Sequence, residues 1–142
     1  MTSPANEQAN VQQAVPFFMI SSMEASLAFY RDGLGFVMTT QWINEGRLEW
    51  CWLELGGAAL MLQQFAKGRH PSAPEKLGVG VSVCFICRDA LELYRQFRAR
   101  GVPARRPFVG NGMWVTSLKD PDGYDIHFES LTDAAEESEY AE

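Results

Sequence analysis

The sequence predicts an α+β fold: two tandem βαβββ modules forming an open, curved eight-stranded sheet around a cleft, with the helices on the outside. The first observation is a repeat. Residues 15–64 and 81–130 align without a gap at a shift of 66, with Val15 on Val81, Leu27 on Leu93, Gly35 on Gly101, Gly46 on Gly112 and Gln63 on Glu129. Self-similarity of this kind marks one supersecondary unit used twice. The second is that each copy reads as strand, helix, then three strands. The third is physical. One helix covers a single face of four strands, so the other face loses stability unless something covers it. Two copies whose uncovered faces curve toward a common interior satisfy both.

The elements follow in order. Val15–Ser21 is an apolar run bounded by polar residues. Ser22 caps a helix carrying Met23, Leu27, Tyr30 and Leu34 at helical spacing, and Gly33 and Gly35 end it. A Phe36–Trp42 strand, a turn at Asn44-Glu45-Gly46 and a Leu48–Leu55 strand come next. Gly56-Gly57 is a two-residue hairpin signal, and Ala58–Gln64 closes the copy. In the second copy Gly80–Ile86 is the strand. Asp89 and Glu92 form a capping box for a helix with Leu93 and Phe97 inward, which ends at Gly101. Val102–Val109, Met113–Lys119 and Tyr124–Glu129 are the remaining strands, with turns at 110–112 and 120–123. The organisation is a disordered lead over 1–13, modules over 14–64 and 79–130, a connector over 65–78 and a mobile acidic tail over 131–142. The two modules make one domain.

Composition narrows the function. The net charge of −6 is mostly a tail effect: Asp133, Glu136, Glu137, Glu139 and Glu142 are five of the 18 acids, which leaves 13 against 12 bases. A near-neutral body argues against a nucleic-acid partner, and the arginines at 95, 98, 100, 105 and 106 read as a solvated helix face. No apolar run reaches the roughly 20 residues of a membrane span. The N-terminus lacks a signal-peptide pattern, so a cytoplasmic location is expected. Cys84-Phe-Ile-Cys87 has CxxC spacing, but residues three apart on a strand point to opposite faces. Cys51, Cys84 and Cys87 are therefore read as buried free thiols.

The segment Met23-Glu24-Ala25-Ser26-Leu27-Ala28-Phe29-Tyr30 leading to Gly33-Leu34-Gly35-Phe36, the Gly56–Gln63 hairpin strand and Asp120-Pro121-Asp122-Gly123-Tyr124 resemble the vicinal oxygen chelate superfamily. That superfamily includes glyoxalases, extradiol dioxygenases, fosfomycin-resistance enzymes and bleomycin-resistance proteins. The resemblance covers about residues 14–130. In its metal-dependent members, four strand positions hold a divalent ion. Mapped by motif, these are Val15, Met61, Val81 and His127, and they obey the repeat. Two valines offer no donor, and a thioether is a poor ligand for zinc, iron or magnesium. The resemblance therefore points to the metal-free, bleomycin-resistance-like branch, with no cofactor and no metal site.

Alternation then assigns a cleft lining. Val15 brings Phe17 and Met19; Val81 brings Val83 and Phe85; Met61 brings Ala59 and Gln63; His127 brings Asp125 and Glu129. Trp50 and Trp52 share a strand face, and Trp114 sits opposite Leu48 in the repeat. The expected ligand-binding set is Phe17, Met19, Trp50, Trp52, Met61, Gln63, Phe85, Trp114, His127 and Glu129. Which face of strands 48–55 and 113–119 lines the cleft stays open at this point. Flat apolar walls with carboxylates along one side favour a planar, neutral-to-cationic small molecule. The function expected is sequestration of such a ligand, as in antibiotic resistance, by a homodimer. The competing reading is a metal-independent isomerase or lyase using His127 with Glu129 or Asp125 as candidate catalytic residues. A metal-dependent glyoxalase or dioxygenase ranks behind both. His70, in the connector, is expected to be exposed.

Overall fold

Polar caps start both helices where the sequence places them. The Ser22 hydroxyl accepts from the Ala25 N–H, and the Asp89 carboxylate from the Glu92 N–H. The computed structural model describes residues 9–66, 69 and 73–142; His70 lies outside them. The first module comprises β1 (Phe17–Ile20), α1 (Met23–Leu27) running into a π-helical turn (Ala28–Gly33), β2 (Val37–Asn44), β3 (Arg47–Leu55) and β4 (Ala58–Gln64). The second comprises β5 (Ser82–Ile86), α2 (Ala90–Ala99), β6 (Phe108–Gly110), β7 (Met113–Lys119) and β8 (Asp125–Leu131). A 3-10 turn at Pro74–Lys76 precedes it.

The class is the expected one, α+β with tandem βαβββ modules. The strands divide into two open four-stranded sheets, ordered β1-β4-β3-β2 and β5-β8-β7-β6. In each, the first strand runs parallel to the last and the other pairs are antiparallel. The β2–β3 and β6–β7 hairpins turn on paired left-handed residues, Glu45 and Gly46 in one and Asn111 and Gly112 in the other. Two consecutive positive φ values match the twist of the flanking strands.

Two segments differ from the sequence reading. The strand expected over Val102–Val109 shrinks to Phe108–Gly110, because Pro103 and Pro107 have no N–H to give a ladder. Val102 and Ala104 are buried as irregular chain instead. The acidic tail, expected from composition to be mobile, is hydrogen bonded along β6. The Val109 N–H donates to Ser138 O, Glu137 N–H to Val109 O and Tyr140 N–H to Pro107 O. The Glu136 carboxylate accepts from the N–H groups of Asn111 and Gly112, and the Tyr140 ring meets Trp114 edge-on. Backbone pairing and aromatic contact outweigh charge repulsion there.

The two modules share one core on their helix-covered sides. Phe18, Ile20, Cys51, Leu53, Leu60 and Leu62 from the first sheet belong to one buried cluster with Phe97, Leu118, Ile126 and Phe128 from the second module. Phe18 stacks on Tyr124 at 3.9 Å and Phe36 meets Phe85 at 5.7 Å. A polar clasp reinforces the join. The Ser21 N–H and hydroxyl donate to Asp122, the Tyr30 hydroxyl donates to Asp120 Oδ2 at 2.7 Å, and the Tyr124 hydroxyl donates to Met19 O at 2.9 Å. Burial raises the Asp120 carboxyl above its ordinary value, and the Tyr30 hydrogen bond opposes that shift. Since the covered faces meet in this core, the described residues of the single chain leave the other face of each sheet open.

Candidate functional site

Directly opposed residues on neighbouring strands point to the same side, so the register fixes what each open face carries. On the first sheet one row runs Thr40, Trp52, Met61, Phe17, and the next runs Trp42, Trp50, Gln63, Met19. The face is aromatic and thioether-rich, with Phe17 and Trp42 each 51% exposed. Glu54 follows Trp52 on the same strand and face. Its Oε2 accepts from the Trp52 indole N–H at 2.8 Å.

The open face of the second sheet is polar. One row runs Cys84, His127, Ser117; the rows beside it run Ser82, Asp125, Lys119 and Ile86, Glu129, Val115. Ser117 Oγ lies 2.8 Å from His127 Nδ1, so Nε2 is the ring nitrogen left to meet a ligand. Lys119 pairs with Asp125 at 2.9 Å. The hydrogen bond with Glu129, together with partial burial, pushes the Cys84 thiol up to about 11, which keeps it a neutral thiol at physiological pH.

The structure thus groups Phe17, Met19, Trp50, Trp52, Met61 and Gln63 on one face, and His127, Glu129 and Asp125 on another. No hydrogen bond or aromatic contact among the described residues joins the side chains of the two faces. Phe85 and Trp114 belong to neither. Phe85 sits opposite Phe128 in the ladder, and its ring packs on Phe36 and Phe128. Trp114 lies on the helix-covered side with Tyr140. Val83 likewise pairs with Ile126 and packs on the core.

The physical reason is register. Phe17 corresponds to Cys84, a shift of 67, whereas Met61 corresponds to His127, a shift of 66. A slip of one residue moves a whole strand to the opposite face. The counterpart of Val15 is therefore Ser82, not Val81. The four metal positions become Val15, Met61, Ser82 and His127, which supply one imidazole and no carboxylate. This set does not fit a divalent ion. No group of three or more His, Cys, Asp or Glu side chains converges among the described residues.

The cysteines also depart from expectation. Cys51 is buried, Cys84 exposed and Cys87 half-buried. Cys87 lies one residue beyond β5, where alternation no longer sets its side. Both Cys84 and Cys87 edge a cavity of about 630 Å³ at the module junction, together with Leu55, Phe85 and Leu93. Sequence reasoning missed Trp42, Glu54, Ser117 and Cys84 as face residues. Counting outward from the Glu45-Gly46 turn pairs Trp42 with Glu49, and only the bulge at Glu49 brings Trp42 opposite Trp50, so no simple count could find it. Strand alternation from Trp52 reaches Glu54.

The family model described as Glyoxalase/Bleomycin resistance protein/Dioxygenase superfamily matches residues 13–128. No curated protein matches the chain. Among solved structures, a bleomycin-binding protein complexed with bleomycin is similar at 24% identity and a TM-score of 0.66, covering 86% of this chain and 100% of that one. A bleomycin resistance determinant encoded on the transposon Tn5 is 25% identical with a TM-score of 0.64, covering 85% and 98%. TnmS3, an antibiotic binding protein from Streptomyces sp. CB03234, is 19% identical with a TM-score of 0.63, covering 84% and 97%. No helix among the described residues is long and apolar enough to cross a membrane. With the family model spanning most of the sequence, this chain belongs to the glyoxalase/bleomycin resistance protein/dioxygenase superfamily.

Proposed function

We propose that this protein binds and sequesters a planar, neutral-to-cationic small molecule in the cytoplasm, without a metal ion, as a symmetric homodimer. The observation that carries the reading is the open face of the first sheet. Half-exposed Phe17 and Trp42 flank Trp50, Trp52 and Met61, which the described residues cover only in part. Large apolar surface left wet costs about 25 cal/mol per Å². A second copy covers it. A two-fold dimer that sets the first sheet of one protomer against the second sheet of its partner makes two equal clefts. Each cleft then has an aromatic wall and a polar wall bearing His127 and Glu129, the usual make-up of a small-molecule site. The similar folds of a bleomycin-binding protein and of an antibiotic binding protein support a binding role. The unsuitable donor set at the four family metal positions supports metal independence.

The bond between Ser117 Oγ and His127 Nδ1 favours a second reading. It fixes the imidazole and aims Nε2 outward beside Glu129, as an acid–base isomerase or lyase requires. The binding reading ranks first because the aromatic wall has no use in proton transfer alone.

Proflavine, a planar cation, serves as the probe. Met61→Glu puts a carboxylate in the middle of the aromatic wall and is expected to change proflavine affinity by tenfold or more in a fluorescence titration; the same affinity in both proteins would mean that this face does not line the site. Elemental analysis of the purified protein is expected to find far less than one transition metal per chain. One metal per chain, lost on mutating His127, contradicts the metal-free reading.

A further inference from the structure

We propose that Glu54 and Trp52 form a subsite for a protonated amine or guanidinium group of the ligand, and that Glu54 sets the preference for cationic over neutral molecules. This rests on the binding reading above and names the chemistry one part of that site selects. Glu54 lies on β3 two residues beyond Trp52, so both side chains stand on the open face of the first sheet.

Two donors hold its carboxylate. The Trp52 Nε1–H donates to Oε2 at 2.8 Å, and the Thr39 hydroxyl donates to the same oxygen at 3.3 Å. Thr39 reaches it because β2 carries an extra residue there. Val37 and Met38 pair with Glu54 and Leu53, but Thr40 already pairs with Trp52, so Thr39 has no partner of its own. Oε1 accepts no hydrogen bond from a described residue.

Charge completes the picture. The ion pairs among the described residues join Arg31 to Asp32, Arg47 to Glu49, Arg106 to Glu139 and Lys119 to Asp125. None of them involves Glu54. An anchored carboxylate with no cation among the described residues beside it, hydrogen bonded to the edge of an indole, is one half of a cation site. The other half is the indole face, whose quadrupole attracts a cation, and donation of its N–H to an anion pushes electron density into the ring. An ammonium or guanidinium lying over Trp52 and bonded to Oε1 meets both. A neutral ring of the same shape gains only stacking, and an anion is repelled.

An exposed ion pair alone is worth little, whereas a cation–π contact in a cleft shielded by the partner protomer is worth more. Together they give a preference of roughly five- to thirtyfold. Proflavine, cationic at pH 8, and acridine, a neutral ring of the same outline at that pH, separate the charge from the stacking. Glu54→Gln keeps an oxygen acceptor for the indole and removes the charge. With the full-length homodimer, Glu54→Gln is expected to weaken proflavine binding roughly five- to thirtyfold and to leave acridine binding unchanged. Added salt is expected to weaken proflavine binding more in the parent protein than in the variant. An unchanged proflavine affinity in Glu54→Gln, with acridine still binding, overturns the subsite and leaves the aromatic site standing. An equal loss of both dyes also overturns it, because Glu54 then acts on wall geometry and not on charge. Failure of both dyes to bind the parent protein overturns the binding reading and the subsite with it.

Discussion

From its cap at Ser22 to the left-handed Gly35, the first helical segment takes thirteen steps; from Asp89 to Gly101 the second takes twelve. The additional residue appears as the π-helical turn Ala28–Gly33, in which the Leu34 N–H reaches back five residues to Phe29 O. A second insertion lies in β3. Ile43 pairs with Leu48 but Trp42 pairs with Trp50, so Glu49 is bulged out. A third lies in the other module: Glu54 pairs with Ala59 across four residues, whereas Lys119 pairs with Asp125 across five. Three single-residue differences decide which side chains each module shows. The β3 bulge turns Trp50 and Trp52 to the open face, while Thr116 and Leu118, without a bulge before them, stay buried under α2. One plan used twice therefore gives one aromatic wall and one polar wall.

The largest effect is expected where the modules join. The longer turn of the second module carries Asp122, fully buried and accepting from the Ser21 N–H and hydroxyl. The Gly56-Gly57 turn of the first module has no acid in that place. Asp122→Ala strands both Ser21 donors and is expected to cost about 3 kcal/mol, read as a fall in Tm on the order of 10 °C. An unchanged Tm would mean that the clasp adds nothing to the shared core.

Smaller effects should separate the tryptophans. Trp52→Phe is expected to weaken proflavine binding roughly three- to tenfold and to remove much of the fluorescence change on binding. Trp114→Phe is expected to leave affinity alone and to cost about 1 kcal/mol of stability through its contact with Tyr140. Loss of affinity in the Trp114 variant, with none in the Trp52 variant, would mean that the modules present the opposite faces.

Much of this was legible in the residues. The capping signals at Ser22 and Asp89, the hairpin glycines and the repeat itself give the module plan. The face of Met61, Gln63, Phe17 and Met19 also follows, because β1 and β4 contain no irregularity. What a gapless alignment hides is compensation. The extra residue of the π-turn offsets a shift of 67 to 66, and the β3 bulge and the longer β7–β8 turn cancel each other. The total length matches while single strands slip by one, and a period of two turns each slip into an inverted face. The slip in β5 turns Phe85 to the covered side, opposite to the face that a constant shift of 66 predicts for it. Trp114 aligned correctly with Leu48, but the bulge lies just beyond Leu48, so Leu48 does not share the face of Trp50. The docking of the tail through Tyr140 depends on a long-range aromatic contact that composition does not encode.

That the two walls of one cleft come from different protomers can be tested with a mixed dimer. Met61→Arg puts a cation on the aromatic wall and Glu129→Arg one on the polar wall, so a homodimer of either variant has no intact cleft and is expected to bind proflavine weakly or not at all. In a purified heterodimer of the two, both lesions fall in one cleft and the other cleft is wild type. The expected result is one proflavine per dimer with the parent affinity, measured by isothermal titration calorimetry. A heterodimer that binds no better than either homodimer would contradict this, since walls drawn from the same protomer leave every cleft damaged.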